Sequence, residues 1–205
     1  MQALPPLSLS EWLVLAVLNQ QPMHGFAVAQ LTLPQGELGR VWQIPKAVVY
    51  RSIARMLAAG LVIPESTEQG LGPQRTVYAV TPAGSEAAQR WLHTPVEHVR
   101  DIRSHLLLKL ALLDRAGGDP TDLLRGQRAV LEPIAKAIED QRAQVGGFDA
   151  VLLAWRRATA VAALDFLDTV AEPPPPVARQ DGPNPHGGYV GTNHPPSCGT
   201  RPEAR

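Results

Sequence analysis

Two cations and a phenol lie near the start of one helical segment of this 205-residue chain. Lys46, Tyr50 and Arg51 stand about one helical turn apart in the segment W-Q-I-P-K-A-V-V-Y-R-S-I-A-R-M-L, so they can share one exposed face. On such a face the cations can bind phosphates, and the phenol can hydrogen-bond a phosphate or touch a base edge. The same spacing is equally typical of a solvated helix face with a half-buried tyrosine.

Two further side chains extend this candidate nucleic-acid site. Gln43 precedes the helix, where it can contact a phosphate or a base, or simply cap the helix. Arg75 follows the glycine-rich turn G-L-G-P-Q, where a guanidinium can bind a phosphate or reach toward the minor groove. It can instead pair with Glu65 or Glu68 on the opposing arm, and both interpretations stay open.

Two helices are predicted ahead of this segment. Ser8 and Glu11 fit a capping box, so a first helix begins there. The apolar run of residues 12–18 covers most of its circumference, which predicts burial on more than one side. Residues 26–32 have the spacing of a second, short helix, and His24 just before it is expected to be structural.

The third helix and the residues after it are predicted to form a helix, a strand, a turn and a strand. Pro45 is tolerated at a helix start, and Gly60 can cap the other end in a left-handed conformation. The apolar spacing predicts a buried stripe of Val49, Ile53, Met56 and Leu57. Residues 61–63 and 76–81 are typical of a hairpin. A winged helix reads DNA with this order, with the helix in the major groove and the turn beside it.

The second half of the chain is predicted to be helical. Thr81 and Pro82 begin a helix that ends by residue 95, and a leucine-rich helix follows at residues 101–114. In the next helix apolar residues recur every seven positions, with one more at an intervening position: Leu124, Leu131, Ile138 and Val145, and Ile134 between them. This seam is either a dimer interface or the inward face of a helix in a monomeric bundle.

A last helix and a tail complete the predicted organisation. The helix covers residues 148–170, and its predicted apolar side consists of Leu152, Trp155, Ala163, Phe166 and Val170. Residues 171–205 hold nine prolines and five glycines, and they cannot bury enough surface to offset their ordering entropy, so a disordered tail is expected. The expected domains are residues 8–95, which include the hairpin, and residues 97–170.

The composition is that of a globular protein with no overall charge. The chain has 19 basic and 19 acidic side chains, so any DNA contact must come from a local patch. The single cysteine, Cys198, excludes a disulfide within one chain and fits a cytosolic protein. No signal-peptide pattern opens the chain, and no apolar run is long enough to span a membrane. We therefore expect a soluble, cytoplasmic protein with no membrane partner.

Catalytic and cofactor-binding motifs are not found in the sequence. The folded part has no G-x-S-x-G nucleophile motif, no P-loop and no dinucleotide glycine fingerprint. His93, His98 and His105 lack the spacing of a metal site. We expect no enzyme activity, no metal and no cofactor.

Taken together, these segments resemble the PadR family of transcriptional regulators over about residues 8–170. The matching pieces are Q-Q-P-M-H-G-F, the segment from Trp42 to Val62, V-Y-A-V-T-P-A-G and R-D-I-R-S-H-L-L-L-K-L-A-L-L. The chain departs from the family in having Phe26 where H-G-Y is usual, in Lys46-Ala47 ahead of the helix tyrosine, and in a wing tip with few basic residues.

The resemblance implies a mainly α protein with a small β-hairpin, in which an N-terminal winged helix-turn-helix precedes a C-terminal helical dimerisation domain. It implies a homodimer that binds a palindromic DNA operator, acts as a repressor, and is released by a small aromatic effector. Trp91 and Trp155 are candidates for an effector pocket, and core packing is the alternative. The alternative function is a helical protein-interaction module of winged-helix type that does not bind an operator.

Overall fold

The protein consists of helices around a small antiparallel sheet, in a computed structural model that describes residues 6–68, 74–142 and 144–171. In chain order the regular elements are α1 (Leu9–Gln20), β1 (Met23–His24), α2 (Gly25–Leu31), α3 (Lys46–Ala58), β2 (Val62–Glu68), β3 (Arg75–Val80), α4 (Pro82–His93), α5 (Leu107–Ala116), α6 (Thr121–Arg142) and α7 (Gly147–Ala171). The predicted fold class, mainly α with a small hairpin, is confirmed. Within the described ranges, no helix combines the length and the apolar character needed to cross a membrane.

The first helix starts with the predicted capping box. The Ser8 amide donates to Glu11 Oε2 at 2.7 Å, and the Glu11 amide donates to Ser8 Oγ at 3.4 Å. Residues 13–18 of α1 are all buried, as their continuous apolar character predicts. Because α1 packs against α3, α4 and α5, it forms the centre of the N-terminal core.

The sheet has three strands rather than the two predicted. Its order is β1-β3-β2, and both pairings are antiparallel. The extra strand pairs Met23 with Tyr78 and His24 with Val77. A strand of two residues is too short to show alternation, so only its pairing with β3 reveals it.

The third helix follows its prediction. Pro45 precedes the first helical residue, and Gly60 after the last turn adopts φ of 67°, the left-handed conformation that favours glycine. Val49, Ile53 and Met56 are buried as expected, together with Ser52, whereas Leu57 is half-buried. One face of α3 is therefore anchored in the core, and the opposite face is exposed.

Helix α4 begins at the predicted cap, and its first turn lies against the backbone of Leu61. The Gly84 amide donates to Thr81 Oγ1 at 3.1 Å. A Cβ at Gly84 would lie 2.1 Å from the Leu61 carbonyl oxygen, so this position requires glycine. Beyond α4, the predicted helix at 101–114 is irregular at its start: a 3₁₀ turn (Val99–Asp101) and a π-helical segment (Ile102–Leu106) precede α5.

Two hydrophobic clusters stabilise the described part of the chain. The first contains α1, the buried stripe of α3 and residues of α4, and the second lies mainly between α6, α7 and residues 96–106. Helix α5 contributes Leu108 and Leu112 to the first cluster and Leu113 to the second. The division into domains 8–95 and 97–170 stays a prediction, and the tail beyond residue 171 lies outside the described residues.

In the hairpin of α6 and α7, the observed packing differs most from the predicted packing. Leu124 and Leu131 are buried in the second cluster, so their side chains pack inside the chain itself. Ile134 and Ile138 are half-buried, and Val145 is exposed. For Leu124 and Leu131 the structure therefore corresponds to the inward face of a helix, because α7 covers them.

The predicted apolar side of α7 is confirmed in part: Ala163 is buried, and Leu152, Phe166 and Val170 are half-buried, but Trp155 is exposed. The buried residues are Leu153, Ala160, Ala163 and Leu167, and the side chain of Trp155 is 68% exposed. Apolar residues follow one another around most of this helix, so several stripes fit the helical period. Contact with α6 selects one stripe and leaves Trp155 outside.

Gln127, which occupies an intervening position of the seven-residue repeat in α6, has a structural role. Its side-chain amide accepts from the Val96 amide and donates to the Val96 carbonyl, both at 2.8 Å. The side chain is completely buried. Gln127 therefore ties the segment after α4 to α6 through a pair of satisfied buried hydrogen bonds.

Candidate nucleic-acid interface

The polar residues at the start of α3 face outward. Gln43, Lys46 and Arg51 are exposed, and Tyr50 is 43% exposed. Lys46 Nζ lies 5.8 Å from the centroid of the Tyr50 ring, so these two residues share a face. Arg51 follows Tyr50 by one residue, which turns it about 100° around the helix axis, to the edge of that face.

The segment ahead of α3 is held by a buried threonine. Thr32, which follows α2, donates its hydroxyl to the carbonyls of Ala29 at 3.0 Å and Ile44 at 3.1 Å. The Ile44 amide donates in turn to the Thr32 carbonyl at 3.4 Å. Because Ile44 is also buried, the entry into α3 has a defined position, and Gln43 and Lys46 are placed on either side of it.

The other end of α3 is attached to α1 by an ion pair. Arg55 Nη1 lies 2.7 Å from Glu11 Oε1, and the Glu11 side chain is nearly fully buried. The same carboxylate closes the capping box of α1. The orientation of the exposed face of α3 is thus tied to the N-terminus of α1.

Arg75 reaches the same region from the first residue of β3. Its Cζ atom lies 4.9 Å from the centroid of the Phe26 ring, and Lys46 Nζ lies 5.2 Å from that centroid. Arg75 Nη1 is also 3.3 Å from His24 Nε2. The side chain of Glu68, one of the two predicted partners of Arg75, lies outside the described residues. Cations from the helix and from the sheet therefore meet at one aromatic ring.

Each residue of the H-G-F motif takes part in this arrangement. His24 caps α2, as its predicted structural role requires, by accepting the Ala27 amide at Nδ1 over 2.9 Å. A Cβ at Gly25 would lie 3.0 Å from the Tyr50 ring, so the absence of a side chain makes room for the phenol. Phe26 contacts the two cations. The motif was visible in the sequence, but its position beside Tyr50 and Arg75 depends on the pairing of β1 with β3.

A shallow cleft lies between these elements. It has a volume of about 220 Å³ and is lined by His24, Gly25, Phe26, Tyr50, Gln74, Arg75, Thr76 and Tyr78. Its lining includes one guanidinium, that of Arg75, and the phenols of Tyr50 and Tyr78. Such a surface suits contact with a phosphate backbone, where charge and hydrogen-bond donors position the protein.

The candidate effector residues lie apart from each other. Trp91 stacks on Trp12 with ring centroids 5.4 Å apart and borders a cleft of about 340 Å³. Lys109 Nζ lies 5.0 Å from the centroid of Trp91 and donates to the Thr94 carbonyl. Burial lowers the pKa of Lys109 to about 8. Trp155 does not line this cleft.

The apolar surface of the C-terminal half follows the first turns of α7. Phe148, Val151 and Trp155 are 76%, 62% and 68% exposed. Their spacing of three and four residues places them in one row, here called the α7 stripe. Val145 lies next to this row in sequence and is also exposed. The seven-residue period of the sequence instead predicts a seam on α6, where Leu124 and Leu131 are buried.

The fold and this exposed face define a winged-helix protein. The model of the transcriptional regulator PadR-like family matches residues 14–90, which cover α1 through most of α4. Over this matched region the chain is similar to the PadR-like family of transcriptional regulators. The search of curated proteins found no match.

Two solved structures are similar to the chain. One is the crystal structure of Bacillus subtilis PadR in complex with operator DNA, at 18% identity, 81% coverage of this chain, 99% coverage of that chain and a TM-score of 0.39. The other is smu.1604c from Streptococcus mutans UA159, at 16% identity, coverages of 77% and 95%, and a TM-score of 0.38.

Proposed function

We propose that this protein is a sequence-specific DNA-binding regulator that acts as a homodimer in the cytoplasm and represses transcription by occupying a palindromic operator. The observation that carries the proposal is the joint exposure of Lys46 and Tyr50 on α3 beside Arg75 on β3. Helix α3 would enter the major groove, and Arg75 would bind the adjacent backbone. Gln43 and Arg51 would contribute at the edges of this face.

The proposal is compatible with a chain of zero net charge. Phosphate contacts require a local group of cations, and three of them lie on or beside the α3 face. Each neutralised phosphate contributes about −0.9 to the slope of the logarithm of the association constant against the logarithm of salt concentration. Binding should therefore weaken steeply with salt even though the protein as a whole is neutral.

The homodimer would form through the α7 stripe. Three large apolar side chains in a row on one helix, each more than half exposed, are the kind of surface that marks an interaction site. Ile134, Ile138 and Val145 would extend this interface, whereas Leu124 and Leu131 belong to the interior of each subunit. A two-fold assembly presents two α3 helices to two half-sites, and a palindromic operator matches that symmetry.

A small aromatic effector would bind in the cleft beside Trp91. Its stacked indoles offer a flat apolar wall, and Lys109 and Arg90 supply positive charge at its edge. Titration with benzoate and with indole, followed by tryptophan fluorescence and by release of DNA, tests this site. Retained quenching in Trp91→Leu would exclude the cleft.

The test of DNA binding begins with selection of bound sequences from genomic fragments by the purified full chain. A Lys46→Ala/Arg51→Ala variant should bind the selected site at least about tenfold more weakly, because it loses two phosphate contacts. For the same reason its salt slope should be shallower by up to about 1.8. Tyr50→Phe should weaken binding less. The dimer should stay intact in both variants.

A matched control removes the same charge elsewhere. Lys136→Ala/Arg156→Ala takes two exposed cations from α6 and α7 and should leave affinity and salt slope unchanged. If the wild-type protein enriches no sequence, or if both double variants weaken binding equally, the DNA proposal fails. The protein-interaction module, which the α7 stripe would favour, is then the better description.

A further inference from the structure

Phe26 connects the two elements that carry the proposed DNA contacts. Its ring lies about equally far from a cation on α3 and from a cation on β3. We propose that Phe26 is a positioning residue for DNA binding: its ring holds Lys46 and Arg75 at a defined separation, so that both engage one stretch of the phosphate backbone. This inference rests on the function proposed above and goes beyond it by assigning a role to a residue that carries no charge.

The physical need for such a residue comes from the two cations themselves. Because each lies about 5 Å from the same ring centre, their charges are no more than about 10 Å apart and repel each other. Both side chains are long and have many rotamers, so fixing them on DNA costs entropy. An aromatic face attracts each cation and orders it before the DNA arrives, which lowers that cost.

The separation suits a DNA backbone. Each strand of B-DNA carries one phosphate for about every 3.4 Å of helix axis. Two cations within about 10 Å can therefore neutralise phosphates of one backbone segment. Without the ring, Lys46 and Arg75 would move independently, since one belongs to a helix and the other to the first residue of a strand.

The ring is itself held in place by the sheet. Phe26 is the second residue of α2, which begins directly after β1, and β1 pairs with β3, the strand of Arg75. His24, in β1, caps the helix on which Phe26 lies, and its ring centroid is 6.2 Å from that of Phe26. Phe26 and Arg75 thus belong to one hydrogen-bonded unit, and Lys46 is the residue brought to it from α3.

The experiment compares Phe26→Leu, which keeps an apolar side chain but removes the ring, with Phe26→Tyr, which keeps the ring. Fluorescence anisotropy on the selected DNA site is measured over a series of salt concentrations. Phe26→Leu should bind about five- to tenfold more weakly at low salt and should have a shallower salt slope, because exposed cation–π contacts contribute modestly and each cation supplies a phosphate contact. Phe26→Tyr should stay within about twofold of wild type.

Two further measurements separate positioning from a loss of fold. In a Lys46→Ala/Arg75→Ala background, Phe26→Leu should cause no additional weakening, because the ring then has no cation to position. In the free protein, the side-chain protons of Lys46 and Arg75 should show upfield ring-current shifts that become smaller in Phe26→Leu, with Lys46 keeping the part that comes from the Tyr50 ring. If Phe26→Leu does not fold, Phe26→Met serves as the second variant without a ring.

The outcomes distinguish this inference from the proposed function. If the wild-type protein binds no DNA, both fail. If it binds DNA and Phe26→Leu matches it in affinity and salt slope, only the role of Phe26 fails. Equal weakening by Phe26→Leu in the wild-type and the Lys46→Ala/Arg75→Ala backgrounds also overturns it, because the effect would then be structural.

Discussion

The α3 face and the α6–α7 hairpin were both predicted from helical spacing, and the prediction succeeded for the first and only partly for the second. On α3 the polar side chains are exposed, and the apolar stripe opposite them is buried. On α6 and α7 the residues expected at an interface, Leu124 and Leu131, are inside, and Trp155, expected on a packed side, is outside. Spacing identifies which residues share a face, but it does not identify what covers that face. Where a helix has one clearly polar face and one clearly apolar face, as α3 does, the apolar face is the one that the core covers.

The largest effect is expected from a substitution at Leu131, which tests whether this residue is part of the interior. This side chain is fully buried in the second cluster, so Leu131→Ala should lower the free energy of unfolding by about 2–5 kcal/mol through lost transfer energy and a cavity. Chemical denaturation at a fixed protein concentration measures it. Lys136→Ala, at an exposed position of the same helix, is the control and should change the value by less than about 1 kcal/mol. Equal effects would mean that Leu131 is not part of the interior.

The α7 stripe is tested by Trp155→Ala. If the stripe forms the dimer, truncating its largest aromatic side chain should weaken self-association by at least about 2 kcal/mol, roughly thirtyfold in dissociation constant. Sedimentation equilibrium measures the dissociation constant, and circular dichroism should show an unchanged helix content. The control is Val161→Ala, at an exposed valine further along α7 that does not belong to the α7 stripe. A wild-type protein that stays monomeric at micromolar concentration would contradict the dimer proposal.

Helix α5 supplies residues to both clusters, and Lys109 is a buried charged residue on this helix. Its pKa in the folded protein is lowered to about 8 by burial, and the ordinary value in the unfolded chain is 10.5. Between these values the unfolded chain binds more protons, so the free energy of unfolding should rise with pH by up to about 1.4 kcal/mol per unit. Lys109→Met should lack this rise. Parallel stability curves for the two proteins between pH 8 and 10.5 would contradict a buried ammonium group.

The smallest effect is expected from an ion pair on the surface of the hairpin. Arg157 on α7 pairs with Glu139 on α6, and hydrogen bonds from Arg157 and Arg142 hold the pKa of Glu139 below its usual value. Both side chains are about half exposed. Arg157→Ala should therefore leave the free energy of unfolding nearly unchanged in thermal or chemical denaturation. A loss as large as that of Leu131→Ala would show that charge, not apolar packing, joins α6 to α7.

Much of the N-terminal half could be predicted because its signals are local. The capping box of Ser8 and Glu11, the caps at Thr81 and Gly60, and the alternation of faces on α3 each depend on residues a few positions apart. The family match over residues 14–90 lies in this region. Phe26 could not be assigned in the same way, because its cationic neighbours are 20 and 49 positions away. Arg75 meets it through the pairing of β1 with β3, and Lys46 meets it through the contact of α2 with α3.

Helix caps and the helical period act over short distances along the chain, so the sequence alone predicts the order of the helices, the start of α3 and the outward direction of Lys46, Tyr50 and Arg51. The folded structure was needed to show that Phe26 lies between Lys46 and Arg75, that Gln127 binds the backbone of Val96, and that α7 covers Leu124 and Leu131 while leaving Trp155 exposed. These contacts join residues far apart in the chain, and an apolar side chain can be buried by any surface that fits it. Which surface does so depends on the packing of all the elements together.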